Sequence, residues 1–202
     1  ITLLGAKYTP LRTQFQNQNV VLQKEIKSIL ITTGGSDPYH FSETLICHLL
    51  SMKLNIEFHI VVGKLFQDTN SLEELANQNT SVHLHYNVSD MAALMKQCDY
   101  AVSAAGTTLY ELCALGIPAI SFSMADNQIP MAETFAETKA VPYAGDIRIK
   151  MPEEMNIVLS RISKHLLSLF NDPSKAKNQH QSMRHLIDGT GAIKIAEALC
   201  KL

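Results

Sequence analysis

Apolar runs alternate with helical patterns along the middle of the chain. Short apolar, often β-branched runs predict strands at 28–32, 57–62, 82–85, 100–103 and 119–122, with a weaker strand near 141–143. Apolar residues at helical spacing, together with capping signals, predict helices at 42–52, 71–78, 89–98 and 107–115 between them. This alternation, with strands that are almost continuously apolar, is typical of a Rossmann-like parallel sheet that carries helices on both faces.

The two ends of the chain follow other patterns. Residues 1–23 contain Gly5, Pro10 and a Gln/Asn-rich stretch without periodicity, and we interpret them as a linker. Residues 24–202 are then a single α/β domain with a helical C-terminal tail. In that tail, "MPEEMNIVLSRISKHLLSLF" predicts a helix that stops at Asn171-Asp172-Pro173, and further helices follow at about 174–187 and in "AIKIAEALCKL".

Composition excludes several classes of function. The formal net charge is −2 and Trp is absent, so neither nucleic acid nor an anionic membrane is an expected partner. No apolar run is long enough for insertion into a membrane. The four cysteines are widely spaced in apolar contexts and form no C-x-x-C, which favours buried free thiols and a reducing cytoplasm.

Small and amide-bearing residues follow most of the predicted strands. Gly34-Gly35-Ser36-Asp37 follows the first strand, Gly63-Lys64 the second, "SAAGTT" (103–108) the fourth and "SMADNQ" (123–128) the fifth. Ligands of open α/β sheets bind outside the carboxyl ends of the strands. The sequence therefore predicts a ligand site at that edge of the sheet.

The segment 103–111 has the features of an anion site. Ala104, Ala105 and Gly106 leave room beside the backbone, and the N-terminus of the following helix favours phosphate. Thr107 and Thr108 add hydroxyl donors. The Glu111 side chain is expected to point back toward the loop. There it either binds the two hydroxyls of a sugar diol or forms a capping box with Thr108, and the spacing leaves both open.

Two other loops also have two readings. Gly34, Gly35 and Ser36 form either a tight turn or a close backbone approach to an anion, while Asp37 and Pro38 read as N-cap and first residue of the next helix. A further polar loop contains Asp126, Asn127 and Gln128, which either cap a helix from about 129 or orient a sugar or a water.

No metal or other cofactor is expected. His83 and His85 share one face of a strand, but no third ligand stands at a convincing spacing. The motifs of α/β-hydrolases, zinc proteases, P-loop ATPases and dinucleotide binders are absent from the sequence.

"ILITTGGSDP" and "CDYAVSAAGTTLYELCALGIPAISFSMADNQ" together carry a family resemblance. The chain resembles the C-terminal nucleotide-binding half of a GT-B glycosyltransferase-like protein. In particular it is similar to the UDP-sugar hydrolases of pseudaminic acid biosynthesis and their spore-coat polysaccharide relatives, over about residues 3–202. A wider kinship is with the N-acetylglucosaminyl transferase of peptidoglycan synthesis.

The resemblance implies a role for each matching position. The nucleotide-binding residues would be Gly34, Gly35 and Ser36 at the diphosphate, Ala105, Gly106, Thr107 and Thr108 at phosphate, Glu111 at the ribose hydroxyls, and Tyr86, Asn87 and Val88 near uracil. Asn127 and Gln128 would face the hexose, and Asn127 would also help to place a water.

The resemblance implies hydrolysis of a UDP-linked 2,4-diacetamido-2,4,6-trideoxyhexose by water attack at the anomeric carbon, in a bacterial cytoplasm. The general base would be a histidine of an N-terminal domain that precedes Ile1. We therefore expect a UDP-sugar-binding domain that is inactive by itself and has that N-terminal domain as its partner. A glycosyltransferase with an alcohol acceptor and a non-catalytic nucleotide-binding domain remain alternatives.

Overall fold

A computed structural model describes residues 2–148 and 152–201, with six parallel strands in one sheet. The strands are β1 (Ser28–Thr32), β2 (Glu57–Val62), β3 (Val82–Tyr86), β4 (Tyr100–Ala104), β5 (Ala119–Ser123) and β6 (Tyr143–Asp146). Their order across the sheet is β3-β2-β1-β4-β5-β6. The order reverses between β1 and β4, which makes the carboxyl ends of these two strands the topological switch point.

Within the described residues, eight α-helices cover the sheet and form the tail. They are α1 (Phe41–Ser51), α2 (Asn70–Gln78), α3 (Met91–Met95), α4 (Thr107–Leu115), α5 (Ile129–Glu137), α6 (Pro152–Asn171), α7 (Pro173–Leu186) and α8 (Gly191–Leu199). Single turns of 3-10 helix occur at Ala6–Tyr8, Thr13–Phe15 and Asp126–Gln128. No helix in the described ranges has both the length and the apolar character that crossing a membrane requires.

The core lies on both faces of the sheet. On one face, buried Phe41, Phe122 and Ile162 belong to a single apolar cluster. On the other face, Leu112 of α4 and Met183 of α7 belong to a second cluster. Because β1, β4 and β5 are buried along their whole length, their residues are apolar or small at successive positions. This confirms the predicted Rossmann-like parallel sheet with helices on both faces and its helical tail.

The strand predictions hold in number and order. The sixth strand begins at Tyr143 instead of residue 141, and Pro142 explains the shift because it has no N–H for the ladder. Pro142 contributes only its carbonyl, which accepts from the amide of Ser121 at 2.8 Å. Met151 and Leu202, which belong to two predicted tail helices, lie outside the described residues.

Two predicted helix starts are wrong in position. Helix α1 begins at Phe41, so Asp37 is not its N-cap and Pro38 is not its first residue. The Asp37 carboxylate nevertheless caps the helix from a distance, because it accepts from the amides of Phe41 (2.9 Å) and Ser42 (2.8 Å). Helix α3 begins at Met91 instead of residue 89, and Asp90 caps it by accepting a 2.9 Å hydrogen bond from the amide of Ala93.

The prediction for the cysteines is half wrong. Cys98 and Cys113 are buried, whereas Cys47 and Cys200 are exposed, and all four are free thiols. Cys47 lies in α1 and Cys200 directly follows α8, so an apolar local sequence does not guarantee burial on an outer helix.

The segment 2–23 lies against the domain. Phe15 is fully buried and belongs to the apolar cluster of α3 and α4. The backbone at Thr9 and Phe15 comes so close to Gly191 and Gly189 that a side chain at either glycine would overlap it. The segment brings Arg12 to the carboxyl edge of the sheet.

Candidate functional site

Two adjoining clefts open at the carboxyl ends of β1 and β4. The larger has a volume of about 680 Å³ and the smaller about 390 Å³. Gly34, Gly35, Thr107 and Thr108 line both clefts. The loop after β1 and the start of α4 therefore come together, as the sequence predicted for a parallel sheet. Volumes of this size suit a small organic ligand.

The loop after β1 is held from below and leaves amides free above. Gly34 has φ +90, a conformation that favours glycine, and the carbonyl of Gly35 accepts from the amide of Leu65 at 2.9 Å. A Cβ on Gly63 would overlap the carbonyls of Gly34 and Gly35, whereas a Cβ on Gly35 would meet nothing within 4 Å. The amides of Gly35 and Ser36 have no acceptor among the described residues and are free for an anion.

The start of α4 forms the other side. Its N-cap is Gly106, where a Cβ would again meet open space. The amides of Thr107 and Thr108 have no acceptor in the described part of the chain, which leaves a helix N-terminus directed at the clefts. Ala105 is fully buried and lines neither cleft, and its amide already donates to the carbonyl of Phe122 at 2.8 Å.

Glu111 does not form the capping box that the sequence left open. Because the helix begins at Thr107, Thr108 is its second residue and makes no capping bond. The Glu111 carboxylate accepts instead from a terminal guanidinium nitrogen of Arg12 at 2.8 Å. The Glu111 side chain is 12% exposed and that of Arg12 is 54% exposed. The ion pair lies in the wall of the larger cleft.

Sequence reasoning missed Arg12 as a site residue. Its partner Glu111 is 99 positions away, and Arg12 lies in a segment without periodicity. The guanidinium carbon is also 5.3 Å from the centre of the Phe15 ring, so the buried Phe15 supports it from behind. The Pro-Leu-Arg sequence at 10–12 contains no local signal for this placement.

Of the three residues predicted to lie near uracil, two line a cleft and one does not. Asn87 and Val88 line the larger cleft beside Lys64. Tyr86 lines neither cleft, because its hydroxyl turns outward and donates to Glu73 at 2.7 Å. That hydrogen bond contributes most to lowering the pKa of the Glu73 carboxyl.

The predicted hexose residues are also divided. Gln128 lines the smaller cleft, and its amide oxygen accepts from the amide of Met124 at 2.8 Å. The side-chain amide nitrogen of Gln128 therefore remains available as a donor. Asn127 is exposed and lines neither cleft.

The histidines of β3 form a cross-strand cluster that includes His59, which sequence reasoning did not single out. His59 Nδ1 and His85 Nε2 are 2.9 Å apart, and His83 Nε2 is 2.6 Å from a carboxylate oxygen of Glu57. Burial, then His85 and His83, lower the pKa of His59. Within residues 2–148 and 152–201, no three His, Cys, Asp or Glu side chains are arranged to hold a metal ion.

A further cavity of about 350 Å³ lies at the opposite, amino edge of the sheet. Its walls come from residues 22–27, the turn before β2 and the junction of α6 with α7. The residues with predicted functions are remote from it, so we assign no ligand to this cavity.

Comparison with known families agrees with this geometry. The model of the glycosyltransferase family 28 C-terminal domain matches residues 28–187. The chain belongs to this family. As a family 28 C-terminal domain, it is a glycosyltransferase-like nucleotide-sugar domain, and the matched range contains every predicted site residue.

Two curated relatives are similar to this family 28 domain. It is 28% identical over 204 residues to the spore coat polysaccharide biosynthesis protein SpsG of Bacillus subtilis, covering 96% of this chain and 57% of that protein. It is 32% identical over 132 residues to the pseudaminic acid cytidylyltransferase and UDP-2,4-diacetamido-2,4,6-trideoxy-β-L-altropyranose hydrolase of Helicobacter pylori, covering 65% and 23%. The chain thus spans little more than half of the first relative and less than a quarter of the second.

Solved structures share the fold. MurG of Acinetobacter baumannii superposes with a TM-score of 0.62 at 15% identity, covering 94% of this chain and 52% of MurG. The UDP-GlcNAc 2-epimerase of Neisseria meningitidis, bound to UDP-GlcNAc, gives a TM-score of 0.61 at 19% identity, covering 90% and 46%. These similarities place the family 28 domain among proteins of the GT-B type.

Proposed function

We propose that this chain is the UDP-sugar-binding domain of a hydrolase that cleaves UDP from a 2,4-diacetamido-2,4,6-trideoxyhexose in nonulosonic acid biosynthesis. One observation carries the proposal: two clefts share a row of free backbone amides, with a partly buried carboxylate at one end and a free side-chain amide at the other. A nucleoside, a diphosphate and a sugar need groups of these kinds in this order.

In the proposed complex, the diphosphate lies between the two glycine-containing loops. The free amides of Gly35, Ser36, Thr107 and Thr108 donate to its oxygens, and the N-terminus of α4 adds a favourable dipole. Uracil lies against the larger cleft near Asn87 and the hexose lies in the smaller cleft near Gln128.

The ion pair of Arg12 with Glu111 suits a ribose next to phosphate. A lone carboxylate would repel the diphosphate, whereas the bond from Arg12 neutralises Glu111 and leaves its second oxygen to accept from the ribose hydroxyls. The guanidinium is half exposed and has further N–H groups for a phosphate oxygen.

The proposed reaction is a displacement at the anomeric carbon. The oxygen of a water molecule forms a bond to that carbon while the bond to the β-phosphate oxygen breaks, and the electron pair of the broken bond leaves with UDP. A base takes the proton of the water. We assign that base to another domain of the natural protein, and Asn127 is the residue of this chain that we propose as a further contact for the hexose or the water.

The choice of a hydrolase rests on the relatives. The chain is 32% identical to the matched part of the Helicobacter pylori protein, whose name includes hydrolysis of a UDP-diacetamido-trideoxyhexose. The second candidate is a glycosyltransferase with an alcohol acceptor. It is favoured by the description of the family and by 25% identity over 194 residues to a UDP-N-acetylglucosamine-dependent transferase of Natranaerobius thermophilus.

Turnover separates the two candidates. The natural protein that contains these residues is incubated with UDP-2,4-diacetamido-2,4,6-trideoxy-β-L-altropyranose without an acceptor, and UDP and free sugar are measured. We expect equal amounts of the two products. Strict dependence on an added alcohol acceptor would replace the hydrolase by the transferase.

A further inference from the structure

An ion-pair network lies beside the smaller cleft, outside the nucleotide site. One guanidinium nitrogen of Arg148 is 2.7 Å from a carboxylate oxygen of Asp126, and another is 2.7 Å from Asp146. Asp126 belongs to the loop 124–128 after β5, whereas Arg148 is the second residue after the end of β6. The network therefore ties the exits of two neighbouring strands together.

The Arg148 side of this network is rigid. The Asp146 carboxylate accepts a hydrogen bond from the backbone amide of Arg148 at 3.0 Å. It also accepts three hydrogen bonds from the guanidinium group of Arg148. The hydrogen bond from Arg148 is the main cause of a lowered pKa at Asp146. The amide of Ile147 also donates to the carbonyl of Ser123 at 2.9 Å, so the backbone below Arg148 is fixed to β5.

The loop 124–128 is fixed in two places. Internally, the side-chain oxygen of Gln128 accepts from the backbone amide of Met124. The backbone amide of Gln128 donates to the carbonyl of Ala125 at 3.0 Å. Externally, Asp126 is 92% exposed and Arg148 is its ion-pair partner. Met124, Ala125 and Gln128 line the smaller cleft, whereas Asp126 and Arg148 line neither cleft.

We propose that Arg148 is a positioning residue that sets recognition of the sugar by holding the loop 124–128 through Asp126, an inference that rests on the proposed function. Arg148 acts on the hexose through the loop and not by contact. Its removal frees the loop to move away from the smaller cleft while the amides of Gly35 and Thr107 keep their positions. Recognition of UDP alone is then independent of Arg148.

Binding is measured by calorimetry with two probes, UDP and UDP-N-acetylglucosamine. The variants are Arg148→Gln, Arg148→Lys and Asp126→Asn, and the control is Glu25→Gln, which removes one charge from an exposed ion pair with Lys27 at the amino edge. Asp126 is so exposed that its replacement disturbs no core packing, which keeps the test valid if Arg148→Gln folds poorly.

We expect Arg148→Gln and Asp126→Asn each to weaken binding of UDP-N-acetylglucosamine about fivefold relative to UDP, a size set by the strength of a single exposed ion pair. Arg148→Lys keeps the positive charge that pairs with Asp126 and should lose less. UDP affinity should stay within a factor of about two. The double variant Asp126→Asn/Arg148→Gln should lose no more than Arg148→Gln alone, because the ion pair that Asp126→Asn removes is already absent from that variant.

Three results overturn the inference. If the ratio of the two affinities is unchanged in the variants while UDP still binds, Arg148 does not position the loop and the proposed function stands. If Asp126→Asn tightens binding of the nucleotide sugar, the freed guanidinium contacts the ligand directly. If UDP does not bind the unaltered protein, the proposed function fails and this inference fails with it.

Discussion

At the exits of β1 and β4 the groups that face the clefts are backbone amides, whereas at the exit of β5 the group that faces the smaller cleft is a side chain. Gly35 and Thr107 offer N–H groups whose positions follow from a turn and a helix start. Gln128 offers a side-chain amide whose oxygen accepts from the amide of Met124, in a loop that the ion pair of Asp126 joins to Arg148. Backbone groups on fixed elements suit an invariant diphosphate, and adjustable side chains suit the variable sugar.

The largest expected effect concerns the loop after β1, where the groups that face the clefts are backbone amides. Two glycines, one on each side of this loop, are compared. Gly35→Val adds a side chain to open space above the loop and blocks the ligand. We expect UDP affinity to fall at least about 100-fold, since two amides lose hydrogen bonds to a charged group. Thermal unfolding should be nearly unchanged.

Gly63→Ala is the matched variant below the same loop. Its Cβ would overlap the carbonyls of Gly34 and Gly35, so we expect a loss of about 1–3 kcal/mol in the free energy of unfolding. If Gly35→Val unfolds the protein and Gly63→Ala does not, the side of the loop that carries Gly35 is packed and does not face the open cleft. Retained UDP binding in folded Gly35→Val would remove the diphosphate from this loop.

The next effect concerns the amino edge, where we expect changes in stability without changes in binding. His165 Nδ1 lies within hydrogen-bond distance, 2.9 Å, of the hydroxyl oxygen of buried Tyr100, and burial, assisted by Lys175, lowers the pKa of His165 to about 4. The unfolded chain, with a pKa of about 6.5, binds this proton first as the pH falls. His165 therefore contributes stability above pH 6.5 that is lost between pH 6.5 and 4.

Between pH 7 and pH 5 we expect His165 to account for a loss of roughly 2 kcal/mol in the free energy of unfolding. His165→Gln keeps a side chain that can hydrogen-bond to Tyr100 but cannot titrate, so its stability should fall less over this range. Denaturant unfolding of both proteins at the two pH values measures the difference. Equal losses in the two proteins would show that His165 is not a buried neutral group.

A smaller effect is expected at the carboxylate of the larger cleft. Glu111→Gln should weaken UDP binding about tenfold, because an acceptor for the ribose hydroxyls loses its charge. Unfolding should change by less than about 1 kcal/mol, since the partner Arg12 is half exposed and becomes hydrated.

The control for Glu111 is Glu73→Gln. Glu73 accepts from Thr69 and Tyr86 but lines neither cleft, so UDP affinity should be unaffected. Lower stability with unchanged UDP affinity in Glu111→Gln would make Glu111 a structural residue only.

The part of the clefts formed by backbone amides at the exits of β1 and β4 could be predicted from the sequence. The strands, the glycines after β1 and the helix start after β4 are local features, and parallel strands bring their carboxyl ends to one edge. The capping box failed because one residue decides it: helix α4 begins at Thr107, which leaves Thr108 inside the helix.

The side chains that complete the site could not be predicted in the same way. Arg12 and Glu111 are 99 positions apart, and the partner of Asp126 follows a different strand. The histidine cluster shows the same limit, since His59 meets His83 and His85 only through the pairing of β2 with β3. Such pairs depend on register and topology, and no spacing within one element indicates them.

Titration of the 202-residue chain with UDP tests the central claim most directly. If the free amides of the two loops bind a nucleoside diphosphate, calorimetry should show saturable binding to one site with a dissociation constant below about 1 mM. We predict that Gly35→Val abolishes this heat. The absence of binding at millimolar UDP would contradict it and would leave a fold of the nucleotide-sugar type without the site that we assign to it.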